Sequence, residues 1–158
     1  MKYKNLPSDN YKENRKKFLS KLNSYSIAVF NSNDIYPISS DATLPFEQHR
    51  DIFYLTGIDQ EETVLLLYKG ETEKECKEIV FVKETNKHIA IWEGEKLTKE
   101  NTTKISGISN VEWTDSFEKI FDKLEKKSKH VYINTNEHYR AKVETQTRDC
   151  LLYTSDAA

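Results

Sequence analysis

Thr63-Val-Leu-Leu-Leu-Tyr68 decides the fold class. The run is uncharged and mostly aliphatic, and it is bounded by the polar turn Asp59-Gln-Glu-Glu62 on one side and Lys69-Gly70 on the other. It is too short for a core helix, and it lacks the alternation of a strand with one wet face. A continuous apolar run of this length suits a strand in the interior of a sheet that is covered on both faces. Helices must then lie against that sheet, which points to an α/β architecture.

The neighbouring segments extend the sheet. Glu78-Ile-Val-Phe-Val-Lys83 is the next strand, and the charged Gly70–Lys77 connection makes the two antiparallel neighbours. Upstream, Ile27-Ala-Val-Phe30 reads as a short buried strand ended by Asn31-Ser-Asn-Asp34. Ile52-Phe-Tyr-Leu-Thr56 reads as another, closed by Gly57, and Pro37 to Gln48 between them is irregular. Downstream, Val111-Glu-Trp113 and His130-Val-Tyr-Ile-Asn134 are strands.

Three helices are expected. The first covers about residues 10–24, with Asn10 as N-cap, Glu13 three positions on, and Tyr11, Phe18, Leu19 and Leu22 on one face. A weaker one runs from Glu95 to Ile105 and ends at Gly107. Ser116 caps the third, whose apolar set Phe117, Ile120, Phe121 and Leu124 falls at i, i+3, i+4 and i+7. The strand-helix-strand order over 111–134 predicts a right-handed parallel crossover. The expected whole is one α/β domain, a mixed five- or six-stranded sheet flanked by helices.

Composition narrows the function classes. The chain has 158 residues, 37% hydrophobic and 32% charged, with a formal net charge of −2. No basic field points to nucleic acid. The densest basic run, Lys126-Lys-Ser-Lys129, reads as a solvated helix end. No apolar run approaches the roughly 20 residues that span a bilayer. The Lys-rich N-terminus has no apolar signal segment, so the cytoplasm is the expected compartment and no membrane partner is expected. Cys76 and Cys150 have no metal spacing and form no disulfide framework, and Cys76, in the charged stretch Glu73–Glu78, is expected as a free surface thiol.

The residues offer little for catalysis. His49, His88, His130 and His138 include no i, i+4 pair and no His-Glu-x-x-His. There is no Gly-x-Ser-x-Gly, and the four glycines are too widely spaced to cradle a phosphate. No catalytic residue and no metal ligand is assigned within the chain. Two segments stand out. Ser39-Ser-Asp41 can be a turn in which the Asp bonds its own backbone. Ala90-Ile-Trp-Glu-Gly-Glu-Lys-Leu97 places Trp92 before a Gly turn, where a Trp commonly packs with one polar edge free.

These segments carry a resemblance. Asp41-Ala-Thr-Leu-Pro-Phe-Glu-Gln-His-Arg-Asp-Ile-Phe-Tyr-Leu-Thr-Gly57, with Thr63–Tyr68 after it, resembles the signature of the N-terminal domain of aminopeptidase P, the Xaa-Pro aminopeptidases. The family pattern runs Asp, Pro-Phe or Pro-Tyr, Arg-Gln-Asn-Ser-Asp, then an aromatic run ending Tyr-Leu-Thr-Gly. Ala90–Leu97 is similar to the family's Ile-Trp-x-Gly-x-Arg, with Lys96 at or beside the Arg. Glu47 stands where the family has Arg, and His49-Arg50 replaces Asn-Ser, so no interface salt bridge is carried over. Arg50 and Asp51 are expected in local capping and surface pairing, and Tyr54 to Gly57 in core and turn.

The resemblance covers residues 8–149 and implies a ribonuclease H-like fold of the creatinase/aminopeptidase P kind. It implies an enzyme that removes an N-terminal residue preceding proline, using two manganese or similar divalent ions held by a separate C-terminal domain. On this reading that domain is absent here, the chain alone is inactive, and residues 150–158, which resemble adapter read-through, are a non-native tail. Asp41 and Trp92 are implied at the substrate cleft or subunit interface of a homo-oligomer. Peptides with proline second would be the parent enzyme's partners. A prolidase or creatinase-like enzyme, or a peptidase-like binding module without catalysis, are the rival readings.

Overall fold

The computed structural model describes residues 6–39, 42–86, 91 and 94–134. Trp92 and Asp41 lie outside the described residues, as do His88, His138, Cys150 and the tail.

Strands β1 (Ser26–Asn31), β4 (Val64–Lys69), β5 (Lys77–Val82), β6 (Val111–Trp113) and β7 (His130–Ile133) form one mixed sheet in the order β6-β5-β4-β1-β7. The short strands β2 (Pro37–Ser39) and β3 (Ala42–Thr43) pair antiparallel in a second, two-stranded sheet within the stretch expected to be irregular. Strand β4 is central and antiparallel to both neighbours, with Leu66 opposite Val29 and Ile79. Strands β5 and β6 pair in parallel, as do β1 and β7.

Both faces of β4 are covered, as the unbroken apolar run requires. On one face Ala28, Phe30, Leu65, Leu67, Val80 and Val82 pack with Leu22, Ile52, Leu55 and Ile108. On the other Ile27, Val29, Leu66, Ile79 and Phe81 pack with Leu124, Phe117, Ile120 and Phe121. The first face is covered by helices α1 (Ser8–Lys21), α2 (Arg50–Thr56) and α3 (Lys99–Ser106), the second by α4 (Phe117–Glu125).

Several details depart from the sequence reading. The segment 52–56 is a helix, not a strand. Its first turn is capped by His49, whose Nδ1 accepts the Asp51 amide at 3.3 Å. Its buried positions are Ile52, Leu55 and Thr56, at helical spacing, while Tyr54 on the opposite side is 56% exposed rather than core. Gly57, at φ +71°, ends it, donating to Phe53 O at 2.8 Å. Local capping thus overrides the β-leaning composition of the run.

Helix α1 begins earlier than expected. Asn10 lies in its first turn, donating to Pro7 O at 3.0 Å, and Pro7 holds the N-cap position. Helix α3 starts at Lys99, because Thr98 accepts the Asn101 amide at 3.2 Å and so sets the cap. Ser116 makes no side-chain cap to α4; its hydroxyl donates to Trp113 O at 2.8 Å across a single 3₁₀ turn, Thr114–Ser116. Strands β6 and β7 run parallel, but they occupy opposite edges, so the α4 connection passes three intervening strands.

Candidate functional site at the loop end of the sheet

The strand directions bring several connections to one end of the sheet. Strands β1, β5, β6 and β7 finish there, and β4 starts there. The described parts of 32–49, 57–63, 83–98 and 114–116 therefore leave from that end. A cleft of about 600 Å³ opens among them, lined by Asn31, Asp34, His49, Glu62, Thr114 and Asn134 with their neighbours.

Its walls are tied by side chains. Ser32 and Thr63 exchange two bonds, Ser32 N to Thr63 O at 2.8 Å and Thr63 N to Ser32 Oγ at 3.1 Å. Asn134 Oδ1 accepts the Asn31 amide at 3.4 Å, and its Nδ2 lies 3.5 Å from His49 Nδ1. That ring nitrogen also accepts the Asp51 amide at 3.3 Å. Glu62 sits at φ +51°, a strained conformation for a non-glycine residue that persists where its surroundings fix it. Carboxylates, amides and an imidazole give the cleft a hydrogen-bonding surface.

Beyond the cleft, Lys96 forms an ion pair with Glu61, the two side chains being 15% and 13% exposed. Burial alone would raise the Glu61 carboxyl. The Lys96 hydrogen bond, its own backbone bond and the charges of Lys96 and Lys83 together bring it below the ordinary glutamate value. Gln60 is buried beside it and accepts the Leu97 amide at 2.7 Å. Sequence reasoning missed this cluster, having read Asp59–Glu62 only as a polar turn. The signal available was an acidic run facing a lone lysine in Gly94–Leu97, which spacing alone cannot join.

Among the described residues no three His, Cys, Asp or Glu side chains are grouped to hold a metal ion. They do not fit the divalent pair that the resemblance implies. Cys76 is a free, partly buried thiol whose Sγ lies 3.6 Å from Thr72 O. Among the described residues no helix is long and apolar enough to cross a membrane.

A mixed sheet, helices on both faces and a polar cleft at its loop end define an α/β domain. The chain belongs to the family described as aminopeptidase P, N-terminal domain, whose profile matches residues 11–132. It is 25% identical over 127 residues to the Xaa-Pro aminopeptidase of Haemophilus influenzae, covering 80% of this chain and 29% of that protein. A Bacillus anthracis structure assigned to aminopeptidase P superposes with a TM-score of 0.79 at 26% identity, covering 95% of this chain and 35% of the other. Zinc-substituted Escherichia coli aminopeptidase P in complex with product shares the fold, with a TM-score of 0.76 at 20% identity over 89% of this chain and 32% of the other. The chain spans about a third of the length of these relatives.

Proposed function

We propose that this chain serves as the N-terminal, non-catalytic domain of a cytoplasmic Xaa-Pro aminopeptidase. In that enzyme it shapes the substrate cleft and supports homo-oligomerisation. Two divalent ions, manganese or similar, belong to the C-terminal part and supply the hydrolytic chemistry. Residues 8–149 form the domain, and 150–158 are a non-native tail. Asp41 and Trp92 line the cleft or a subunit interface, and peptides with proline second are the substrates.

The observation that carries this reading is topological. Asp41 falls in sequence between β2 and β3, on the connection leaving β1, and Trp92 falls on the connection leaving β5. Strands β1 and β5 end on the same side of the sheet, where the polar cleft lies. Two family-like segments far apart in sequence thus depart from one place, and the family match spans both.

The test is Trp92→Ala and Asp41→Ala in the full-length protein, assayed on Xaa-Pro peptides. A fall in kcat/KM for each, or for Asp41→Ala an altered oligomeric state, is expected. Unchanged kinetics and assembly would return Asp41 to a turn role and Trp92 to packing. Cleavage confined to dipeptides would instead favour a prolidase.

A further inference from the structure

Gln60 is 6% exposed and joins three connections. Its main-chain carbonyl accepts from Gln48 Nε2 at 2.8 Å, and its side-chain Oε1 accepts from the Leu97 amide at 2.7 Å. Gln48 in turn accepts the His49 amide at 2.8 Å, and Asn33 Nδ2 donates to Glu47 O at 2.9 Å. Beside Gln60, the Glu61–Lys96 pair closes the same junction. Four segments of these three connections, 31–34, 47–49, 59–62 and 94–97, are therefore linked by side chains and not by the sheet ladder.

The chemistry of Gln60 is unusual for a core position. Its Nε2 is buried and has no acceptor among the described residues. A buried amide left half satisfied is a cost that an apolar residue of the same size would avoid. What the amide supplies is the acceptor for the Leu97 N–H, a main-chain donor outside every helix and strand. Leu97 itself is only partly buried against the helix-covered core, so packing alone holds this stretch weakly.

We infer that Gln60 and the Glu61–Lys96 pair are positioning residues. They clamp Gly94–Leu97 to the Asp59–Glu62 turn and keep the loop end of the sheet in the arrangement that receives substrate. The inference rests on the proposed cleft role of this sheet end. None of the three side chains need touch the peptide; they act through the main chain they fix.

The experiment uses Gln60→Leu, with Glu61→Lys and Lys96→Glu made singly and together. In this chain, Gln60→Leu is expected to speed amide exchange at Leu97 about tenfold, while Leu66 and Val80 keep theirs. In the full-length enzyme, KM for an Xaa-Pro peptide is expected to rise about tenfold at nearly unchanged kcat. The exchanged pair is expected to recover most of what either single reversal loses. A merely destabilising change would lower kcat at constant KM, because fewer molecules would be active. That result, or unaltered exchange at Leu97, overturns the clamp. Trp92→Ala is assayed in parallel. If it impairs cleavage while Gln60→Leu leaves KM unmoved, the clamp alone fails. If Trp92→Ala is silent, the cleft reading falls and takes the clamp's role with it.

Discussion

Arg15 shows how much one side chain can organise. It is wholly buried, and its Nη1 donates to Leu55 O at 2.7 Å and Ser106 O at 3.0 Å, while Nε donates to Glu78 at 2.8 Å. Those carbonyls end α2 and α3, which close alike. Thr56-Gly57-Ile58 and Ser106-Gly107-Ile108 each place a hydroxyl back onto the fourth residue upstream and a glycine at φ +71°. A cation at two helix C-termini complements both dipoles. Arg15→Met should cost about 2–6 kcal/mol in urea unfolding, since two carbonyls lose their donor at roughly 1–3 kcal/mol each. A loss under about 1 kcal/mol would mean that water replaces the guanidinium. The charge is visible in the sequence, at helical spacing within the face read as Tyr11, Phe18, Leu19 and Leu22. Its partners are not, because two of them are main-chain atoms on distant segments.

Gly57 and Glu61 make further residue-scale predictions. A Cβ on Gly57 would lie 2.3 Å from the Tyr11 ring and would also strain the positive φ. Gly57→Ala should lower the melting temperature measurably, and an unchanged value would show that α1 can shift. Against the effect of burial, the Lys96 bond and neighbouring cations hold the folded Glu61 carboxyl below the ordinary glutamate value of 4.5 that the unfolded chain has. The stability it contributes is therefore full above that value and is lost as pH falls through the depressed folded one. Glu61→Gln should flatten the acid limb of the stability profile below about pH 4.5, measured by denaturant midpoints across pH. An acid limb as steep as the parent's would assign acid loss to other carboxylates.

Among elements, β4 was the most legible and α2 the least. A strand covered on both faces must be apolar at every position, and no other element of that length has this requirement. For 50–56 the composition favoured a strand, but the decisive features were a histidine cap and a glycine that closes a helix as readily as it ends a strand. Histidine is an uncommon cap, and nothing local marks Nδ1 as an acceptor. Strand β4 carries its own prediction. Leu66 is fully buried between Val29 and Ile79 on the α4 face. Leu66→Asp would bury an unpaired carboxylate at several kcal/mol, a large share of the roughly 5–15 kcal/mol that holds a domain together. The variant should not fold. A soluble protein with a cooperative melt would place this strand at an exposed edge.

At the scale of the whole molecule, the sheet with cores on both faces has what independent folding needs, and among the described residues no three metal-ligating side chains are grouped. The order of strands was not readable, because the residues that pair β7 with β1 lie a hundred positions apart and share only apolar character. The cleft itself was not legible, since its lining residues come from segments with no common motif. These points combine in one expectation. The purified 158-residue chain should unfold in a single cooperative transition, and in that folded state it should release no first residue from an Xaa-Pro peptide, with or without added manganese. Both measurements are needed, because inactivity of an unfolded chain says nothing about its chemistry. Release of the first residue that is abolished by a chelator would mean that this chain assembles a metal site of its own, and the division of labour proposed for it would be wrong.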